Sequence, residues 1–160
     1  MASWATRTTT GKPPIMNRKI IIDDYLEKPY WVIDILPKQV PADSRGQFFT
    51  IEQYFLSDEQ AERRCRQFCN ILMKLNCYED IAVCGLSEEW TINPHPVDVE
   101  QWLLERKPLL VFIEASDALL TINGDDIYMT VYNPDEALLH LLRPLAASEG
   151  LFLWKPSGGE

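Results

Sequence analysis

The order in which strand-like and helix-like stretches succeed one another limits this 160-residue chain more than any single motif in it. Apolar residues recur at every second position in half-buried strands and near every 3.6 positions in amphipathic helices. By that test the first helix follows three short runs, Lys19–Asp23, Tyr30–Leu36 and Gln47–Phe55. It spans Asp58 to about Leu75, a second starts near Val97, and a third starts near Pro134. Further strands fall at Ile81–Cys84, Trp90–Ile92, Leu109–Glu114, Ala118–Ile122, Ile127–Val131 and Leu151–Trp154. The order βββ-α-ββ-α-βββ-α-β breaks the strict alternation that a doubly wound parallel sheet requires. It predicts an α+β fold, with a mostly antiparallel mixed sheet of about six to nine short strands and three helices packed on one face.

Local signals sharpen these boundaries. Ser57 followed by Gln60 has the form of a capping box, and Leu56 is placed to staple to Ala61. Asp58 and Glu59 suit the positive end of the first helix dipole and Lys74 its negative end, with Asn76 expected as a left-handed cap. The helix presents the stripe Ala61, Cys65, Phe68, Cys69, Leu72, Met73 and Leu75. Asn123-Gly124 between two apolar runs is a hairpin signal, because that dipeptide tolerates positive φ. In the third helix Asn133 is expected as N-cap with Pro134 at the first position, and Leu138, Leu141, Leu142 and Leu145 face inward. Pro144 must kink or end that helix, and Gly150 supplies its C-cap.

Residues 19–155 are expected to form one domain. Residues 1–18 are basic and acid-free, and the Pro13-Pro14 pair argues for a flexible leader or appended extension over an amphipathic transit peptide. Residues 156–160 are expected to be a disordered tail. No apolar run approaches the ~20 residues of a membrane span. Cys65 and Cys69 share one helix face, and with Cys77 and Cys84 they form no zinc-knuckle spacing. All four are expected to be reduced, mostly buried thiols, which fits a cytoplasmic setting.

Several chemistries are excluded by residue supply. The seven glycines are scattered, so neither a dinucleotide-binding nor a P-loop motif can be written. The two histidines, His95 and His140, form no HExxH pair, and Asn123–Asp126 lacks the closing Glu of an EF-hand. Ser87 has no GxSxG elbow around it, and a Cys84–His95 pair has no support in the spacing. No metal or cofactor is expected. The remaining route to catalysis is a carboxylate pair, Asp34 in the strand Tyr30–Leu36 and Glu114 at the end of Leu109–Ile113. It would make a small cofactor-free hydrolase or transferase, with one carboxyl kept protonated by apolar neighbours. Strand parity sets Asp34 on the face opposite Trp31, Ile33 and Ile35, which favours an outward, solvated side chain.

Charge points elsewhere. Between Leu75 and Leu142 there are thirteen carboxylates and two bases, Arg106 and Lys107, whereas Met1–Lys74 carries eleven bases and nine acids. A field of that sign repels nucleic acid and anionic lipid and attracts basic proteins. Glu88-Glu89-Trp90 and Asp125-Asp126-Ile127-Tyr128 each set two carboxylates beside a ring, the mixture of steering charge and aromatic anchor found at interfaces. The chain is therefore expected to bind rather than to catalyse. It would cover a basic partner surface through Glu88, Glu89, Trp90, Asp125, Asp126 and Tyr128, in the manner of an inhibitor or immunity-type protein.

Overall fold

A computed structural model describes residues 20–87 and 89–157, so the expectations for the leader 1–18, for Glu88 and for residues 158–160 lie outside the described residues. The elements run α1 (Ile22–Leu26), β1 (Tyr30–Asp34), α2 (Phe48–Phe55), α3 (Asp58–Asn76), β2 (Ala82–Cys84), β3 (Trp90–Ile92) and α4 (Pro96–Leu104). Then come β4 (Leu109–Ile113), a short 3-10 turn, β5 (Ala118–Ile122), β6 (Tyr128–Tyr132), α5 (Glu136–Ser148) and β7 (Phe152–Trp154). The seven strands form one sheet in the order β3-β2-β4-β5-β6-β1-β7, and every neighbouring pair is antiparallel. The fold is α+β, as the pattern predicts, with five α-helices among the described residues where three were expected.

The two additional helices, α1 and α2, replace expected strands. Of the run Lys19–Asp23, the described residues 20–23 lie in no strand; the chain turns into α1, whose first turn carries Asp23 and Asp24 and whose Tyr25 is buried edge-on against Phe112. Gln47–Phe55 has strand-like composition but forms α2. There long-range bonds override propensity: buried Arg64 donates from Nη1 to the Phe55 carbonyl at 2.6 Å, and Arg106 donates from Nη2 to the Leu56 carbonyl at 3.2 Å. Two guanidinium groups thus hold the last carbonyls of the helix, which no further turn can satisfy.

Helix α3 has the expected span and stripe, but its ends differ. Ser57 makes no capping bond; its Oγ donates to the Tyr54 carbonyl, and Gln60 donates to the Tyr54 hydroxyl instead of closing a box. Asn76 is not left-handed, since the chain continues in helical geometry through Cys77. Instead the Asn76 amide donates to the Glu79 carbonyl and to Asn93 Oδ1, and Asn93 takes the positive φ of 48°. In α5 the cap is Asp135, whose carboxylate accepts from the Leu138 amide at 2.8 Å. Asn133 has φ 61° and bonds across to the Asp117 carbonyl. Pro144 sits inside α5 without ending it, and Gly150 closes the segment at φ 78°, as expected. Cys65, Cys69 and Cys84 are buried thiols, whereas Cys77, just beyond α3, is exposed and so departs from the core reading.

Helices α3, α4 and α5 cover one face of the sheet. Ile33, Val83, Val111, Ile113, Leu120, Met129 and Val131 meet Phe68, Leu72, Leu75, Val99, Leu138 and Leu142 there. The pleat sends the alternate residues to the other face. Under β2 and β4 that face is a smaller apolar cluster, Tyr25, Ala82, Phe112 and Leu119. Towards β6, β1 and β7 it is covered by the chain that links β1 to α2. Among the described residues no helix is long and apolar enough to cross a membrane.

The β5–β6 turn closes with an Asp126 amide to Asn123 carbonyl bond at 3.1 Å, and neither Asn123 nor Gly124 has positive φ. Glycine is required there for a different reason. A Cβ on Gly124 would lie 2.3 Å from the Arg106 carbonyl oxygen and 2.6 Å from Arg106 Cβ. Gly124→Ala should therefore lower stability by about 1–3 kcal/mol, the usual range for overpacking. Gly46→Ala, where the nearest atom is 3.6 Å away, should stay close to neutral. Urea midpoints of the two variants decide this, and an unchanged midpoint for Gly124→Ala would sink the close-approach argument.

Candidate functional site

Strands β1 and β6 pair with Tyr30 opposite Tyr132, Val32 opposite Thr130 and Asp34 opposite Tyr128. These six residues share one face, and with Trp154 of β7 they form the floor and one wall of a cavity of about 600 Å³. The opposite wall is the segment from Lys38 to Phe49. That segment is tied at its far side, where the Ser157 amide donates to Gln39 Oε1 at 3.0 Å. Trp154 is fixed in turn by its indole N–H, which donates to the Leu36 carbonyl at 2.9 Å. Pro156 and Ser157, expected to belong to the tail, are thus part of this arrangement.

Asp34 has the parity read from the sequence, opposite Ile33, but it is not solvated. It is 4% exposed, because that face of the sheet is covered too. Burial pushes its carboxyl up to about 6, against the amides of Leu36 and Ile35 and the Trp154 indole, which pull it down. The nearby Glu52 of α2 adds to the rise. Its Oδ1 is buried with no hydrogen-bond partner. Desolvation and neighbouring charge also raise Tyr128, in the same cavity.

Glu114 is not brought to this place. Asp34 lies at the end of the sheet where β6 begins, level with Tyr128, whereas Glu114 follows Ile113, which pairs with Ala118 at the opposite end. Strands β5 and β6 stand between them. Three interstrand steps of ~4.8 Å and an offset of about six residues at ~3.3 Å each put the two carboxyls on the order of 25 Å apart. Paired-carboxylate glycoside hydrolysis works across roughly 5–9.5 Å. Glu114 Oε1 is itself buried without a hydrogen-bond partner.

The acidic segments land at one end of the sheet. The β2–β3 connection and the β5–β6 turn both adjoin the row Trp90, Cys84, Leu110, Thr121. Glu89 and Asp125 are exposed. Asp126 is half-buried, and burial raises its carboxyl. The two rings turn away from that surface. Trp90 packs edge-on at 6.5 Å from Phe112 on the second sheet face, and Tyr128 faces the cavity. Arg106 sits between the two acidic turns, donating to the Gly124 carbonyl and to Asp58.

His95 caps α4 through Nδ1, which accepts from the Val97 amide, and exposed His140 lies 3.6 Å from Glu136. Burial raises the Cys65 thiol, and Cys69 is pushed up to about 11, so neither is poised as a thiolate. Among the described residues no group of three or more His, Cys, Asp or Glu side chains is placed to hold a metal ion. In comparisons with known proteins, no family model, no curated protein and no solved structure matches this chain.

The cavity has no signature in the sequence, because nothing in Lys38–Phe49 marks that segment as a cover for a sheet face. The available signal was Asp34 within a strand whose same-face neighbours, Tyr30 and Val32, are apolar or aromatic.

The Asp34 carboxyl gives a signed pH dependence. Its ordinary value is 3.8 and its native value about 6, so between those values the folded state holds a proton that the unfolded chain has released. Stability contributed by this group is full below pH ~4, falls as pH rises to ~6 and is flat above, by about 3 kcal/mol in all. Asp34→Asn keeps the shape without the ionisation, so it should remove that fall and exceed the wild type by about 1–3 kcal/mol at pH 8. Chemical denaturation of both proteins at pH 4.5 and pH 8 tests this. An equal pH response in the two would show that Asp34 is not desolvated.

Proposed function

We propose that this protein works by binding, and that its site is the cavity beneath residues 38–49. The observation that carries this reading is the cavity itself: about 600 Å³ over a sheet face, lined by aromatic rings and holding one buried carboxyl. Small-molecule sites are commonly ~300–1,000 Å³, mostly apolar, with a few polar groups that fix orientation. Heteronuclear NMR with small aromatic fragments should shift the amides of residues 38–49 and of Tyr128–Tyr132. Ala42→Trp, at an exposed position in the cavity wall, should abolish those shifts without unfolding the protein. Shifts that cluster elsewhere, or that survive Ala42→Trp, would refute the assignment.

A second reading is supported by the convergence of the two acidic turns. Glu89 and Asp125 are exposed at the same end of the sheet, and the surrounding half of the chain carries the excess of carboxylates. That arrangement favours docking of a basic protein, steered by charge. Replacing Glu88, Glu89, Asp125 and Asp126 by their amides should slow association with a basic partner more than it speeds dissociation. Added salt should slow it likewise, since exposed charges are screened within ~8 Å at physiological ionic strength. Binding that ignores both salt and the four amides would eliminate this surface. Truncating Trp90 or Tyr128 should cost stability, because both rings are packed on the second sheet face.

A further inference from the structure

The cavity contains a carboxyl that the protein does not complete. Asp34 is more than nine-tenths buried, belongs to the lining of the cavity and has no partner for Oδ1. The charged groups facing it are few. Its own strand brings the phenol of Tyr30 and β6 those of Tyr128 and Tyr132, β7 brings no ionisable group, α2 brings the acidic Glu52, and the cavity wall brings Lys38, which is exposed and makes no ion pair with it. A buried carboxylate without a counter-charge is costly, and the cost falls when a cation with hydrogen to donate is set against it. The cavity is lined by the rings of Tyr30, Tyr128, Trp154 and Phe49, a setting that favours an organic cation over a hydrated metal ion.

Resting on the cavity reading, we propose that the ligand is a small organic amine, bound as its ammonium ion to Asp34 with its apolar body against the aromatic walls. The ammonium N–H donates to the Asp34 carboxylate, and the body lies along the sheet face past Val32 and Thr130, towards the packed rings of Tyr30 and Tyr132, whose centroids are 5.6 Å apart. Because ammonium binding requires the ionised carboxyl, it competes with the proton whose native value lies at about 6. Affinity should therefore weaken as pH falls from 7.5 to 5, by roughly tenfold for each unit below that value.

Three isosteric probes test this by NMR titration of the whole chain: 2-phenylethylamine, 2-phenylethanol and phenylacetic acid. In the wild type at pH 7.5 the amine should bind at least about tenfold tighter than the alcohol, the usual worth of a charge-assisted hydrogen bond. In Asp34→Asn that ratio should fall towards one and the pH dependence should vanish. Equal binding of amine and alcohol by the wild type, with shifts at the cavity residues, would overturn the amine and leave the cavity standing. Preference for phenylacetic acid below pH 6 would also overturn it, pointing to a shared proton between two carboxyls. If none of the three moves the cavity amides, the amine and the cavity reading fall together. The wild-type ratio decides the point even if Asp34→Asn does not fold.

Discussion

The position of β1 between β6 and β7 is the constraint on which the rest of the structure depends. The strand is paired on both sides, from Tyr30 to Asp34 against β6 and from Val32 to Asp34 against β7. Because side chains alternate, a slip of one residue would exchange every contact between the two faces. Ile33, which is fully buried under the helices, would point into the cavity, and Asp34 would enter the main apolar core with nothing to bond it. The penalty for a carboxylate in that core exceeds anything the slipped register could return. The residue that makes the cavity polar thus also enforces the register that builds it.

A second dependence runs through two arginines. Arg64 is buried on α3 and Arg106 lies just after α4, and both donate to carbonyls at the α2–α3 elbow. Without them α2 would have little to keep it in place. Its own residues include no fully buried side chain, and Phe49 and Tyr54 remain 78% and 57% exposed. An apolar helix held mainly by its end carbonyls is a wall anchored at its C-terminus, with Phe48 and Phe49 set against the cavity. Buried Arg64 has its pKa lowered by desolvation, yet a guanidinium stays charged across the physiological range, so the clamp does not titrate away.

How much of this could be read from the residues varies with how local the cause is. Helix α3 was legible because its stripe runs over five turns, and β5 and β6 because apolar runs flank an Asn-Gly pair. The glycine, however, was right for a wrong reason: Gly124 is needed where Arg106 backbone approaches, a contact between segments with no sequence signature. Helix α2 was misread because Phe48, Phe49, Thr50, Ile51 and Tyr54 favour strands, and the arginines that stabilise it as a helix lie beyond its own end. Asp34 was placed on the correct face but in the wrong medium. Period-2 spacing says which side of a sheet a residue occupies, and nothing about whether a distant loop lies over that side. Trp90 and Tyr128 were read as exposed for the same reason.

The bond from the Trp154 indole to the Leu36 carbonyl joins groups 118 positions apart. During synthesis β1 emerges well before both of its neighbours in the sheet, β6 and β7, which begin only at Tyr128 and Phe152. Until then β1 has two unsatisfied edges and an exposed Ile33, the combination that invites pairing with another chain. Contacts of such long sequence separation slow folding, since loop closure must precede the contacts that repay it. The nascent protein is consequently vulnerable to self-association until β6 and β7 have been made, and the cavity closes in the same step that removes that hazard.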